Sequence, residues 1–535
     1  DLRKKLVKKI ARNLKKLLLL IFALNQLDGQ VDRRFNVFDW QIIGENQSIN
    51  SATEGYQFFY FATSGNGILR FNKFTKSFDI NLTQAQGIKS DIIKHVYFDE
   101  YTGILWAVGN KSLEFSQNRE GNWININLSS LSIRSFEDII DIGSSKNFIW
   151  IRTYQGFIKL DHISGSFLGV FAFPDEENIY WGDISRENLT FTNLDLSSYY
   201  ITDGWFLSGK GINDNQGLFS NFTSFLSSKD GNLSWLTLDN GYLMIIDEFS
   251  KTVSPLISGI GFTIPYAISK ENYQWVAGAS NTKTKVITRL DNDSKEVSFF
   301  KSSEYSNFSN SNIFSSLIIE DEIWFGGDGL VIVYNKKKDF FRTLGFEKGM
   351  PQGRIEELKK MGSNVYARSI NGVGVINYKS KEKVFSPISN FIFSRNLIVR
   401  SIELHENKIK FATNNGIYEL LNDNSIGISD KKSNFTYLLK NFGENLYRVD
   451  NRGIYVDSEK IINSAEYFND EVQDIFVKND IIYIGTNNAL VIYNQSEKLV
   501  ENIYDYSFLK KINKIDAIDE FLILLTSKGL VKFKL

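Results

Sequence analysis

The feature that most constrains this chain is a phrase that keeps returning. "DEIWFGGDGLVIVYN" (321–335) comes back as "DIIYIGTNNALVIYN" (480–494), and fainter copies run through the sequence. Aligned on one aromatic column, the copies place Tyr60, Trp106, Trp150, Trp235, Trp275, Trp324, Tyr366, Tyr447 and Tyr483 in one position. Lys410 and Ile523 take it in two weaker copies. Neighbouring positions lie 36 to 49 residues apart, except for a gap of 85 between Trp150 and Trp235 that leaves room for a degenerate copy with Thr190 in the column. Twelve copies at a mean spacing of about 42 residues match the 40–45-residue period of β-propeller blades.

The phrase has a physical reading. Ile323, Trp324 and Phe325 are consecutive apolar residues. Side chains of a strand alternate between its two faces, so both faces must be covered, as in a blade held between two others. Small residues follow, such as Gly326-Gly327, Ala62-Thr63 and Gly485-Thr486, which let backbones crowd near a narrow axis. Then comes a turn: Asp328-Gly329, Asn415-Gly416, Arg452-Gly453 or Lys528-Gly529. Such pairs supply the positive φ of a tight hairpin. The nine aromatic residues of the column are therefore read as structural blade core, since large rings in such a pattern serve packing.

The expected fold class is all-β: tandem β-propellers of about twelve four-stranded blades. One ring normally holds 4–8 blades, so two rings are expected. An even split gives a first propeller over 30–305 and a second over 306–535, with the Ser/Asn-rich "KSSEYSNFSNSN" (301–312) at the boundary; five blades plus seven is the other division. "FNVFDWQII" (35–43) is a spare strand, available to complete its own ring or the last one and so remove an exposed edge.

Residues 1–29 read as a bacterial secretory signal. Eight Lys and Arg precede the apolar run Leu17 to Leu24, and Ala23 and Gly29 are small residues at possible cleavage positions. The alternative is a basic amphipathic helix lying on a membrane. The apolar run is shorter than the roughly 20 residues that span a bilayer, and no later stretch is a transmembrane candidate. Without residues 1–29 the chain keeps 53 basic and 60 acidic residues, a net charge of −7, which argues against nucleic acid as a partner. The 535 residues contain no cysteine, so neither disulfides nor thiolate chemistry contribute.

The catalytic inventory is thin. His95, His162 and His405 are isolated in sequence, without the spacing of a zinc site. The sequence leaves a Ser-His-Asp triad open, although no G-x-S-x-G elbow appears. Asp291 and Asp293 in "RLDNDSKEV" and Asp214 in "INDNQG" offer oxygen ligands on turns, but neither stretch has the full calcium-loop spacing. Both read as solvated turns, and the identity of any metal ligand stays open. The long segment 196–222, with Tyr199, Tyr200 and Trp205, reads as outer strands of a degenerate blade or as a recognition insertion. No catalytic or cofactor-binding residue is assigned, and no cofactor is expected.

The phrases resemble the repeats of bacterial two-component-regulator-type propellers, in which W-(F/I)-G-T-x-x-G-(L/I) is followed by G-(L/I)-P-x-x-x-I. The second part stands here as "GMPQGRI" (Gly349, Met350, Pro351, Ile355), and more weakly as "GIKSDII" (Gly87, Ile88, Ile92). The opening repeats also resemble tandem propellers of the PorZ type, which serve type IX secretion at the outer membrane. The sequence carries neither the kinase and DNA-binding modules of the regulators nor a further C-terminal domain, so sensing through a kinase of its own is not expected. The resemblance implies an exported protein that is periplasmic, outer-membrane-associated or at the cell surface. The function expected is non-catalytic binding or scaffolding, with loop faces offered to a protein or glycan of the envelope and a link to secretion or surface assembly. The alternative is an envelope carbohydrate-active hydrolase or lyase with a pair of carboxylates at a propeller channel.

Overall fold

The computed structural model describes residues 37–116, 122–182, 196–208, 211–293, 296–422, 425–430, 435–457, 459–464 and 470–535. The expected signal segment, Thr190, and residues 294–295 of the "RLDNDSKEV" turn lie outside the described residues. Among the described residues the chain forms eleven sheets, antiparallel throughout except for one short parallel pair at the edge of one of them. Numbered as blades in chain order, they are blade 1 (49–82), 2 (93–127), 3 (139–171), 4 (219–256), 5 (264–301), 6 (315–344), 7 (357–377), 8 (399–430), 9 (438–463), 10 (472–504) and 11 (514–534). The protein is an all-β tandem propeller.

Each blade is a meander whose second strand carries the column residue, and all nine aromatic column residues are buried. The hydrophobic cores lie between blades rather than within them, as the consecutive apolar triplets require. Trp324 points to one side, into a cluster with Leu358, Val365 and Ile376 of blade 7. Its neighbours Ile323 and Phe325 point to the other, into a cluster with Trp275 and Ile287 of blade 5. Gly326, just after the column, lies where a Cβ would strike Ser315 Oγ and the carbonyl of Ile355. The crowding that the small residues permit is thus against the chain leading into the next blade.

The "GMPQGRI" segment is a short connector between blades. The 3-10 turn Phe346–Lys348 ends at Gly349 with φ +83°, and Met350 and Ile355 are buried in the core between blades 6 and 7. "GIKSDII" repeats the device, with Gly87 at φ +98° after Gln84–Gln86. Its anchoring residue is Ile93, which is buried, and not Ile92, which is exposed: Ile93 stands the same number of residues after its glycine as Ile355 does. Blade 7 departs from the four-strand pattern. Its outer strand is replaced by the helix Pro387–Ser394, capped by Ser386, whose Oγ accepts from Ile388 N–H.

The first strands of blades 5 to 11 touch in succession, and that of blade 5 also meets blade 11, so these seven blades close a ring. Ile268 and Val276 of blade 5 share a core with Ile523 and Leu525 of blade 11. Blade 5, which an even split after residue 305 would assign to the first propeller, thus packs on both sides against blades of the later group. The stretch 301–312 is an inter-blade connection, with Phe308 held in the core between blades 5 and 6. Blades 4, 1, 2 and 3 touch through their first strands in that order. The spare N-terminal strand Trp40–Ile43 completes the last blade: it pairs with Gly529–Lys534 in the register Trp40↔Phe533 and Ile42↔Val531. Gly529, at φ +124°, lies where any Cβ would meet the carbonyl of Ile43. The chain then leaves for blade 1 through 44–48 and returns to blade 5 through 257–263. The two crossings are joined by Asn46 N–H to the Ile260 carbonyl at 2.8 Å and Ile260 N–H to the Gly44 carbonyl at 2.9 Å. Blades 1 to 4 are therefore an insertion within the sequence of the seven-blade ring.

Candidate functional site

The seven first strands of blades 5 to 11 line one central channel of about 620 Å³. Its walls are charged. Arg368 donates through Nε to Glu357 at 3.1 Å and through Nη1 to Glu356. Lys440 lies 2.9 Å from Asp474, Lys359 lies 2.6 Å from Glu403, and Lys270 lies 3.0 Å from Asp516. Glu357 also accepts from Ser401 Oγ at 2.7 Å and Ile402 N–H at 2.6 Å. Burial opposes its charge, but Arg368, Lys359 and these donors outweigh burial and hold its carboxyl below the usual range. Burial likewise opposes the charge of Lys440, and Asp474 outweighs it, so this ammonium is held above its ordinary value. Lys514 differs: burial, with Lys440 beside it, pushes it down to about 8.

A second opening, of about 660 Å³, lies between blades 1, 4 and 5. The segment 196–222 contributes Asp203, Trp205 and Asn215 to its lining. Part of it, Tyr200–Ile201, adds in parallel to the outer strand of blade 4, and Phe206–Ser208 with Gly211–Asn213 form a hairpin against that blade's first strand. Trp205 is buried against Tyr242, with ring centroids 4.9 Å apart. Asp214 is not a solvated turn residue. It is buried, its Oδ1 accepts from Gln216 and Leu218 N–H, and its Oδ2 lies 3.5 Å from Lys301 of blade 5. A third, smaller pocket of about 250 Å³ sits beside the closing strand. There Lys532, pushed down to about 8 by burial, donates to the Asn292 carbonyl at 2.6 Å, and Asp291 closes its own turn by accepting from Glu296 N–H.

The histidines are scattered. His95 is packed with Nε2 3.3 Å from the Ile139 carbonyl, and burial together with Lys94 pushes it down to about 4. His162 Nδ1 stands 3.4 Å from Asp99, and His405 Nδ1 is 2.9 Å from Asn441 Oδ1. Among the described residues no three His, Asp or Glu are arranged to hold a metal ion, and no helix is long and apolar enough to cross a membrane. The sequence reading missed the channel charges. Their signal was a charged residue seven or nine positions before the column, as in Lys359, Lys440, Asp474, Lys514 and Asp516.

Carboxyl groups with raised pKa lie outside these three openings. Asp141 of blade 3 is pushed up to about 7 by burial, against the pull of Ile142 N–H and Arg152. The unfolded chain ionises this group near 3.9, so the native state binds the extra proton between about pH 4 and 7 and stability falls as pH rises through that window. Asp141→Asn is expected to be more stable than the parent at pH 8, by about 4 kcal/mol at roughly 1.4 kcal/mol per pKa unit over about three units, and nearly equal to it at pH 4. Urea midpoints at the two pH values test this; the same difference at both would refute it.

No protein-family model and no curated protein sequence matches the chain. Solved structures do. PorZ of Porphyromonas gingivalis, described as an essential bacterial surface component of the type-IX secretion system, is 11% identical with a TM-score of 0.56, over 92% of this chain and 87% of that one. The extracellular domain of a putative hybrid two-component system from B. thetaiotaomicron is 18% identical with a TM-score of 0.40, over 92% of this chain and 83% of that one. Another such domain from that organism is 12% identical with a TM-score of 0.42, over 90% and 74%. The chain has the tandem β-propeller fold that PorZ has.

Proposed function

We propose that the protein is a non-catalytic binding or scaffold protein of the bacterial envelope, exported, with the loop faces of its propellers offered to a protein or glycan in secretion or surface assembly. One observation carries the non-catalytic part. Each of the four carboxylates lining the channel (Glu356, Glu357, Asp474 and Asp516) is ion-paired to an Arg or Lys. A glycosidase needs one carboxyl held protonated by a raised pKa and a second free to act as base or nucleophile. The pairing works against both requirements. The likeness in fold to a bacterial surface component supports the envelope setting. We also propose that the chain divides into its two propellers near residue 260, at the paired crossings, rather than at 305.

The test is cross-linking of the tagged full chain in intact cells, followed by fractionation and mass spectrometry of its neighbours. Envelope proteins or polysaccharide are expected among them, and cross-links confined to cytosolic proteins would overturn the reading. Incubated with envelope polysaccharide, the purified protein is expected to release no new reducing ends; sustained release would favour the hydrolase.

A further inference from the structure

The channel of the seven-blade ring carries more fixed positive charge than its own acids neutralise. Seven Lys and Arg line it against four Asp and Glu, and a fifth carboxylate, Glu403, reaches in from beside the lining to pair with Lys359. The surplus is not spread evenly. Lys514, at the start of the strand Lys514–Ile518, opens onto the channel, yet its ammonium has no carboxylate within 4.0 Å among the described residues. The acids whose charge reaches it are committed elsewhere. Asp474 of blade 10 engages Lys440 through Oδ1, and its Oδ2 accepts from Ile515 N–H at 2.9 Å. Asp516 accepts from Lys270 at 3.0 Å and from Ala517 N–H at 2.8 Å. The other charges that reach Lys514 are like charges, Lys440 on blade 9 and Lys359 on blade 7. A shielded cation with three donors and no acceptor, among other cations, lacks a counter-charge that the chain does not supply.

We propose that Lys514 anchors an anion-binding site in the central channel, and that its ligand presents a small oxyanion group: phosphate, sulfate or carboxylate. Oxygen acceptors meet the ammonium donors through charge-assisted hydrogen bonds. The surplus of positive charge favours a dianion over a monoanion, and the low-dielectric walls of a channel strengthen that preference. The site stands apart from the loop faces, so it can fail while the envelope reading stands, and the reverse.

Binding must favour the charged lysine and draw its pKa upward. At pH 8.5, above the free value, each anion taken up should bring part of a proton with it; at pH 6 it should bring none. Titration calorimetry with sodium sulfate, sodium phosphate and sodium acetate at low ionic strength tells the oxyanions apart, with sodium chloride as control. Sulfate titrations in buffers of different ionisation enthalpy count the protons. We expect saturable sulfate or phosphate binding, proton uptake at pH 8.5 only, and at least a tenfold loss of affinity in Lys514→Met. Lys514→Arg should keep the anion and lose the proton uptake. If the Met variant does not fold, the otherwise wild-type chain decides. After reductive ¹³C-methylation, the Lys514 resonance, assigned through Lys514→Arg, should titrate near 8 and move upward with sulfate. No saturable binding, equal affinity in a folded Lys514→Met, or a lysine titration that sulfate leaves in place would each overturn the site.

Discussion

A chain beginning at residue 44 is expected to lose closure of the seven-blade ring. The strand Trp40–Ile43 supplies the fourth strand of blade 11, and Trp40 is the hub of that blade's aromatic core. Its ring stacks on Phe533 at 4.2 Å between centroids and meets Tyr504 and Phe508 edge-on at 5.3 and 5.6 Å. Ile42 is buried in the same cluster. Losing a buried Trp costs about 3–5 kcal/mol and a buried Ile about 2–5, so removal of the strand should cost roughly 5–10 kcal/mol, close to the whole stability of an ordinary domain. It also bares the edge of Gly529–Lys534, which invites association with other chains. Urea unfolding followed by the fluorescence of Trp275 and Trp324 should show a transition moved to much lower denaturant, and Trp40→Ala alone should show about half that shift. An unmoved midpoint in the truncated chain would mean that the ring does not depend on this strand.

Trp324→Ala should cost about 3–5 kcal/mol through lost burial and the cavity left behind. The side chain is fully buried between blades 6 and 7, so neither blade can collapse into the space without moving the other. Its Nε1 donates to Glu322 at 3.1 Å, and Lys381 lies over the ring at 5.0 Å while pairing with the same Glu322 at 2.7 Å. The Ala variant keeps that ion pair but removes the apolar plate beneath it, so Trp324→Phe should recover most of the loss. A midpoint unchanged in Trp324→Ala would show that the column is not packed as described.

What the sequence made legible was local. The apolar triplet, the small residue and the positive-φ turn are each dictated within a dozen residues, as Ile323-Trp324-Phe325 and Lys528-Gly529 show. Ring membership is not local. Nothing in the spacing near Trp275 says that the first strand of its blade lies beside those of blades 6 and 11; that follows from contacts far apart in the chain. The same holds for "FNVFDWQII", whose partner lies nearly five hundred residues away. The channel was half legible. Lys359, Lys440 and Asp516 pair across strands with Tyr366, Tyr447 and Ile523 of the column, so their charged character in otherwise apolar strands was a visible signal. Which charge neutralises which depends on the curvature of the whole ring.

The pairing of Trp40 with Phe533 also sets a timetable. On a ribosome the closing strand emerges first and must wait for its partner, roughly 25 to 100 seconds at about 5–20 residues per second. Blades 1 to 4 are complete long before that, so the inserted unit can mature while the seven-blade wheel is still an open arc. Whatever accompanies the nascent chain has one unpaired ribbon to shield throughout, and a lesion near residue 40 or near residue 533 damages the same blade.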